Sequence, residues 1–332
     1  MAVGAAHAAG KGCNMKVLIA DKFETVGVEG LKGLGCEVVS NPDLKDEALA
    51  QALRELRPTV LVVRSTKVQA PHFAAADGLK LVIRAGSGVN TIDVKAATAQ
   101  GVKVANCPGL NSTAVAELTL GLILALDRRI VDAANELKAG SWNKKEYGKA
   151  RGLKGRTLGI VGLGQIGRLV ARRALAFEMN ILYSDVVAAE EFDRLPNVRR
   201  VELDELLRQA DIVTLHVPAL PETKNLLNAD RIGRMPKHAF LINTCRGDVV
   251  DEAAIVAALK EKRIAAYAAD VYANEPAAAQ DRYAGPLKDL PNFLGTPHIG
   301  ASTDEAQHAI AVRTVEIVKE FQASGKVLHA VN

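Results

Sequence analysis

Three polar residues in the second half of this chain have the types and spacing to do chemistry. Arg246 follows the apolar run "FLINTC", Glu275 follows "AADVYAN" and precedes Pro276, and His298 follows "NFLGTP". Each apolar run reads as a buried strand, and each polar residue falls past its carboxyl end, where open parallel sheets bind ligands. An imidazole can take or give a proton near neutral pH. A carboxylate on its other ring nitrogen would fix the tautomer and favour the charged ring. A guanidinium can grip a carboxylate or polarise a carbonyl oxygen. Taken singly, each has a plainer account: an arginine bonded to strand-end carbonyls, a solvated loop acid, a satisfied loop histidine. Together they read as a proton-transfer set facing an α-hydroxy or α-keto carboxylate, with Arg246, Glu275 and His298 as the catalytic candidates.

A second pattern supplies what that set needs. Gly162-Leu163-Gly164-Gln165-Ile166-Gly167 follows the strand-like "TLGIV" and precedes the helical "RLVARRALAF". In a dinucleotide loop the first glycine allows the tight turn, the second lets pyrophosphate approach the backbone, and the third lets helix pack on strand. The next apolar run, "NILYSD", ends in Asp185, about 18 residues past Gly167, near the spacing expected of an acid bonded to a ribose 2′-hydroxyl. A carboxylate there repels a 2′-phosphate, which predicts NAD in preference to NADP. Glycines placed for packing alone are the plainer alternative, and a methyltransferase shares such a turn and acid. The loop therefore predicts a nucleotide, and the redox reading rests on Arg246, Glu275 and His298.

The elements that position these residues alternate in β-α-β rhythm. "KVLIA", "CEVVS", "TVLVV", "KLVIRA" and "VKVANC" predict one parallel sheet. "TLGIVG", "NILYSD", "DIVTLHVP", "AFLINT" and "AAYAADV" predict another, with "NFLGTPHI" as a sixth strand. Between the sheets "STAVAELTLGLILALDRRI" predicts a long helix capped by Ser112 or Thr113, followed by an exposed excursion, "KAGSWNKKEYGKARGLKG". A last helix is predicted from about Thr303, with Ser302 and Glu305 as a capping box and Gly325 as its end. The fold class is therefore α/β: two doubly wound, Rossmann-like lobes with a cleft between them. The substrate lobe is predicted as residues 1–108 plus 302–332, the nucleotide lobe as 109–301, with two crossovers serving as a hinge.

Size and composition exclude several alternatives. The chain has 332 residues, 48% hydrophobic and 24% charged, with a net charge of +4 spread without a basic run. Neither nucleic acid nor an anionic membrane is expected as a partner. Cys13, Cys36, Cys107 and Cys245 form no metal-ligand or disulfide pattern, so no metal site and a reducing, cytoplasmic setting are expected. The opening "MAVGAAHAAGKGCN" lacks the apolar centre of a signal peptide and reads as a disordered extension.

In "GLGQIG…YSD", "LHVPALPETKNLLN", "LINTCRGDVVDEAAI", "DVYANEPA" and "TPHIGAST" the chain resembles the D-isomer-specific 2-hydroxyacid dehydrogenases. The resemblance implies an oxidoreductase with Arg246, Glu275 and His298 as its catalytic set. It implies cofactor contacts from Thr214, His216, Val217, Pro218 and Thr223 on the adenosine side. On the nicotinamide side it implies Thr244, Cys245, Asp270 and Gly300. "VVRSTKV", "IRAGSGVNTID" and "NSTAVAELT" are most similar to members that act on a phosphorylated 2-hydroxy acid. In those, the Gly86, Ser87, Gly88 and Val89 backbone meets the substrate carboxylate, with Ser65 and Asn111 nearby and Arg64 and Arg84 facing the phosphate. Trp142 and Lys144 resemble an arm that reaches a partner subunit, implying a homodimer or a tetramer of dimers. Two departures stand out. Asp248 occupies a position where the family often has Gly, and the chain ends with "VLHAVN", so no serine-sensing domain is expected. Rival readings are another 2-hydroxyacid reductase, or a non-catalytic NAD-sensing scaffold. His216 is expected to line the cofactor pocket without moving protons. Cys245 is expected to pack there and not to act as a nucleophile, and His72 and His308 to lie on the surface.

Overall fold

The computed structural model describes residues 15–276 and 282–332; the N-terminal extension with Cys13, and Ala277 of the "DVYANEPA" segment, lie outside them. The chain forms two compact units. One comprises residues 15–111 with Thr303–Asn332, the other Ser112–Ser302.

The first unit holds a sheet of five strands, β1 (Lys16–Ile19), β2 (Glu37–Ser40), β3 (Val60–Val63), β4 (Leu81–Arg84) and β5 (Lys103–Asn106), in the order β2-β1-β3-β4-β5. All are parallel. Val60–Val63 is buried along its whole length, which explains its unbroken apolar run: helices cover both faces of a parallel sheet. The C-terminal helix, Asp304–Ser324, returns to this unit and packs Ile310, Ile317 and Val318 on one side of the sheet. Its cap is Thr303, whose hydroxyl accepts from the Ala306 amide; Ser302 lies one residue too early for that geometry, so the expected capping box does not form. Gly325 ends the helix at φ 74°, a conformation that favours glycine.

The second unit holds seven parallel strands: β6 (Thr157–Val161), β7 (Asn180–Ser184), β8 (Val198–Arg200), β9 (Ile212–Leu215), β10 (Phe240–Asn243), β11 (Ala266–Ala269) and β12 (Phe293–Gly295). Their order is β12-β11-β10-β9-β6-β7-β8. From β8 to β11 this is the dinucleotide-binding order, and it reverses direction between β6 and β9, where such sheets take their ligand. Sequence patterning missed β8. The strand is three residues long with only Val198 buried, and a short edge strand bearing two arginines has the polarity of a loop.

The helix Ser112–Arg128 opens this unit. The Ser112 hydroxyl donates to Gln165 Oε1 at 3.3 Å, tying the helix to the dinucleotide loop. The expected long helix forms and ends at Arg128, because Arg129 is left-handed at φ 48°; a second helix, Ile130–Lys138, follows. The segment after it is exposed, with Trp142 81% accessible. His72 departs from expectation. It is buried because its ring caps a short helix, Nδ1 accepting from the Gln69 amide at 2.9 Å and Nε2 lying 3.0 Å from the Asp46 carbonyl. His308 is exposed.

Candidate active site

Arg246 stands where β10 ends. Asn243, wholly buried at the last position of that strand, accepts from the Cys245 amide and donates its side-chain N–H to the Arg246 carbonyl at 2.9 Å. The turn is thereby set, and the Arg246 guanidinium donates to the Cys245 carbonyl at 2.5 Å. Burial pushes the Cys245 thiol up to about 11 despite the pull of Arg246, so this cysteine is inert at neutral pH. The Thr244 hydroxyl meets that of Thr119, 2.8 Å away. Asp248 is exposed.

His298 Nδ1 lies 2.7 Å from Glu275 Oε2, leaving Nε2 as the ring nitrogen without a bond among the described residues. Burial pushes the Glu275 carboxyl up. The hydrogen bond and charge of His298, the Tyr272 amide and Arg246 outweigh burial and leave it below its ordinary value. The three candidates are therefore brought together within the second unit. His298 adopts φ 53°, uncommon for a residue with a side chain. Asp270, almost fully buried, over-determines it: its carboxylate accepts from the Thr296 hydroxyl at 2.6 Å and from the Ile299 and Gly300 amides at 2.8 Å. The Tyr272 hydroxyl lies 2.9 Å from the Thr296 carbonyl, and the Tyr272 amide donates to Glu275 at 3.2 Å. One residue thus joins the glutamate loop to the histidine loop. Gly247 lets that loop reach Arg246: a Cβ there would lie 2.0 Å from the Tyr272 carbonyl carbon and 2.4 Å from the Ala273 nitrogen.

The dinucleotide loop has the shape its sequence implies. Gly162 sits at φ 92°, and a Cβ there would meet the His216 carbonyl oxygen at 2.8 Å. A Cβ on Gly167 would lie within the Gly162 carbonyl, whereas nothing stands within 4 Å of one on Gly164. That is open space beside the first turn of the helix Gln165–Ala176, whose unpaired amides attract phosphate. Ile166 is partly buried against the core behind it. At the end of β7, Asp185 accepts from the Leu163 amide at 2.6 Å and from the Val187 amide at 2.9 Å. The residues present therefore fit a dinucleotide. Beyond β9, His216 Nε2 lies 3.0 Å from the Thr214 hydroxyl, and its Nδ1 is buried without a partner. Burial pushes this imidazole down to about 3, so it stays neutral and moves no proton. Val217 packs on the core, and the Thr223 hydroxyl donates to the Pro218 carbonyl at 2.6 Å, closing the loop that follows.

In the first unit the candidates cluster at the carboxyl ends of β3, β4 and β5. Buried Asp21 gathers the turn after β3, accepting from the Arg64, Ser65 and Thr66 amides at 2.7 to 3.1 Å and from the Ser65 hydroxyl at 2.8 Å. Ser65 therefore spends its hydroxyl on structure. After β4, Gly86 at φ 148° lies directly under the Arg84 guanidinium. Asn106 donates to the Ser87 carbonyl at 2.5 Å, and the Ser87 hydroxyl donates to Asn111 at 2.7 Å. Among the described residues the amides of Ser87, Gly88 and Val89 donate to no backbone carbonyl, as a loop that binds an anion requires.

Residues 120–300 match the family model for the D-isomer specific 2-hydroxyacid dehydrogenase NAD-binding domain. The D-3-phosphoglycerate dehydrogenase of Methanocaldococcus jannaschii is 42% identical over 308 residues, 92% of this chain and 57% of that one. The hydroxypyruvate reductase of Thermotoga maritima is 42% identical over 285 residues, 85% of this chain and 90% of that one. A Thermus thermophilus protein of known structure superposes with a TM-score of 0.85 at 33% identity, covering 96% of this chain and all of that one. The chain belongs to the D-isomer specific 2-hydroxyacid dehydrogenase family.

Within this family member the second unit contains the match to the NAD-binding domain. Four residues that shape its site were not singled out from sequence: Asn243, Tyr272, Gly247 and, in the first unit, Asp21. Asn243 left the clearest signal, a polar amide closing an otherwise apolar strand. Asp21 left a similar one, an acid directly after the first strand. Tyr272 and Gly247 left none, because each acts through a contact between segments distant in the chain. Among the described residues no cluster could hold a metal ion, and no helix is long and apolar enough to cross a membrane.

Proposed function

We propose that the protein catalyses NAD-dependent oxidation of D-3-phosphoglycerate to 3-phosphooxypyruvate, a first step toward serine. The observation that carries the chemistry is the 2.7 Å contact between His298 Nδ1 and Glu275, with Arg246 close enough to lower that carboxylate. NAD, held by Gly162–Gly167 and Asp185, supplies the hydride acceptor when bound. His298 Nε2 takes the hydroxyl proton of the substrate as its carbinol carbon is oxidised. Glu275 holds the ring in the required tautomer and stabilises the charge it gains. Arg246 grips the carboxylate and polarises the forming carbonyl. For the Gly86–Val89 amides the proposed role is carboxylate binding, and for Arg64 and Arg84 phosphate binding, as the family resemblance implies.

The name carried by the Methanocaldococcus relative supports the phosphorylated substrate. The Thermotoga relative favours a second reading, reduction of hydroxypyruvate, because this chain spans nearly all of that protein. Steady-state rates with 3-phosphoglycerate and NAD, set against hydroxypyruvate and NADH, decide between them. A rate confined to the phosphorylated acid is expected; turnover of hydroxypyruvate alone would sink the narrower assignment. The protein is proposed to be cytoplasmic and homodimeric. Exposed Ile130, Val131, Leu137 and Trp142 offer apolar surface to a second copy, and Trp142→Ala should shift sedimentation toward monomer. A wild type that sediments only as monomer would remove the dimer.

A further inference from the structure

We infer that Arg200 is a dormant ligand for a 2′-phosphate, and that Asp185 alone keeps the site from accepting NADP. The inference rests on the reading of residues 157–185 as the dinucleotide site, and it begins with the edge strand that sequence patterning missed. β8 pairs Arg200 with Tyr183 of β7, one strand beyond the ribose-binding acid. From there its exposed guanidinium reaches back and donates to the Asp185 carbonyl at 2.8 Å.

The other arginines at this end of the sheet are engaged by acids. Arg168 and Arg172 meet Glu191, Arg194 meets Glu190, and Arg199 meets Glu205. Arg200 has no carboxylate partner among the described residues, and its hydrogen bond is to a neutral carbonyl. The two residues after Asp185 bring no charge of either sign: Val186 is 97% exposed and Val187 67%. The ribose end of the site therefore carries one fixed anion, the Asp185 carboxylate clamped by the Leu163 and Val187 amides. Bonded to the backbone of the same residue is Arg200, which no acid neutralises among the described residues.

Specificity of this kind is set by repulsion as much as by attraction. The chain does not lack a group that could hold a 2′-phosphate. It holds an acid in front of one. Removing the acid should release both effects at once: the repulsion ends, and a guanidinium of the geometry that suits phosphate remains hydrogen-bonded to the backbone of the same position.

Calorimetric titration with adenosine 2′,5′-bisphosphate and with 5′-AMP tests this without reference to turnover. Wild type should favour 5′-AMP. Asp185→Ser should bind the bisphosphate at least tenfold more tightly than wild type does. Adding Arg200→Ala should remove about ten- to a hundredfold of that affinity, the scale of a charge-assisted hydrogen bond, while 5′-AMP binding stays within about twofold. Asp185→Ser/Arg200→Lys should retain part of the gain. Equal bisphosphate binding by Asp185→Ser with and without Arg200 would overturn the proposal, as would no gain in Asp185→Ser. Failure of wild type to bind either NAD or 5′-AMP would overturn the dinucleotide site itself, and this inference with it.

Discussion

His298→Ala should lower turnover by about 100- to 10,000-fold, the range spanned by a positioned general acid–base, with NAD binding little changed. The size follows from what the imidazole does that water cannot. Its Nδ1 is committed to Glu275 at 2.7 Å, so Nε2 presents a lone pair in a fixed direction when the ring is neutral. Asp270 holds the Thr296 hydroxyl on one side of His298 and the Ile299 and Gly300 amides on the other, with His298 at a left-handed φ. The ring therefore enters the reaction already oriented, and its loss removes both the base and that orientation. Glu275→Gln keeps the shape but can hold the wrong tautomer, and should fall between wild type and His298→Ala. The wild-type Glu275 carboxyl lies below its ordinary value, so the tether holds throughout the neutral range and loosens only in acid. Single-turnover hydride transfer, followed by NADH absorbance, is the measurement. Full activity of His298→Ala would remove the imidazole from the mechanism.

Gly247→Ala should cost on the order of a hundredfold in kcat/KM although the new methyl touches no substrate. A Cβ at that position would sit 2.0 Å from one backbone atom of Tyr272 and 2.4 Å from one of Ala273. Backbone atoms cannot rotate away as a side-chain tip would, so the loop carrying Glu275 must shift by about an ångström or more. Displacements of that size cost about a hundredfold where reacting groups must be aligned. The shift would separate Glu275 from Arg246 and strain the Tyr272 links to both the glutamate and the histidine loops. A merely destabilised variant would lose melting temperature and keep its kcat per folded molecule. The expected result is the reverse, with kcat reduced in protein that is folded by circular dichroism. Wild-type kcat in folded Gly247→Ala would show that this close approach is not needed.

Much of this site was legible because parallel α/β chemistry gathers at strand ends, and strand ends are visible as apolar runs that stop. Arg246, Glu275, His298 and Asp185 each follow such a run, and the glycines at 162, 164 and 167 announce a turn that few other residues permit. All five strands of the first sheet and six of the seven in the second showed the same way, the central ones because burial on both faces demands continuous hydrophobicity. Where burial is partial the signal fades. Val198–Arg200 carries two exposed arginines and was missed, and His72 looked superficial because its neighbours are polar, although its ring is buried and doubly hydrogen-bonded.

The sequence by itself determined the elements, the reactive groups and the nucleotide loop, because those depend on residue type and on neighbours along the chain. Only the tertiary structure decided how the reactive groups are held. Asp270 fixes the histidine loop, Tyr272 joins two loops, Gly247 admits close backbone contact and Arg200 stands beside Asp185. Each of these pairings spans 15 or more residues of sequence, and a contact between distant segments leaves no periodic trace in either one.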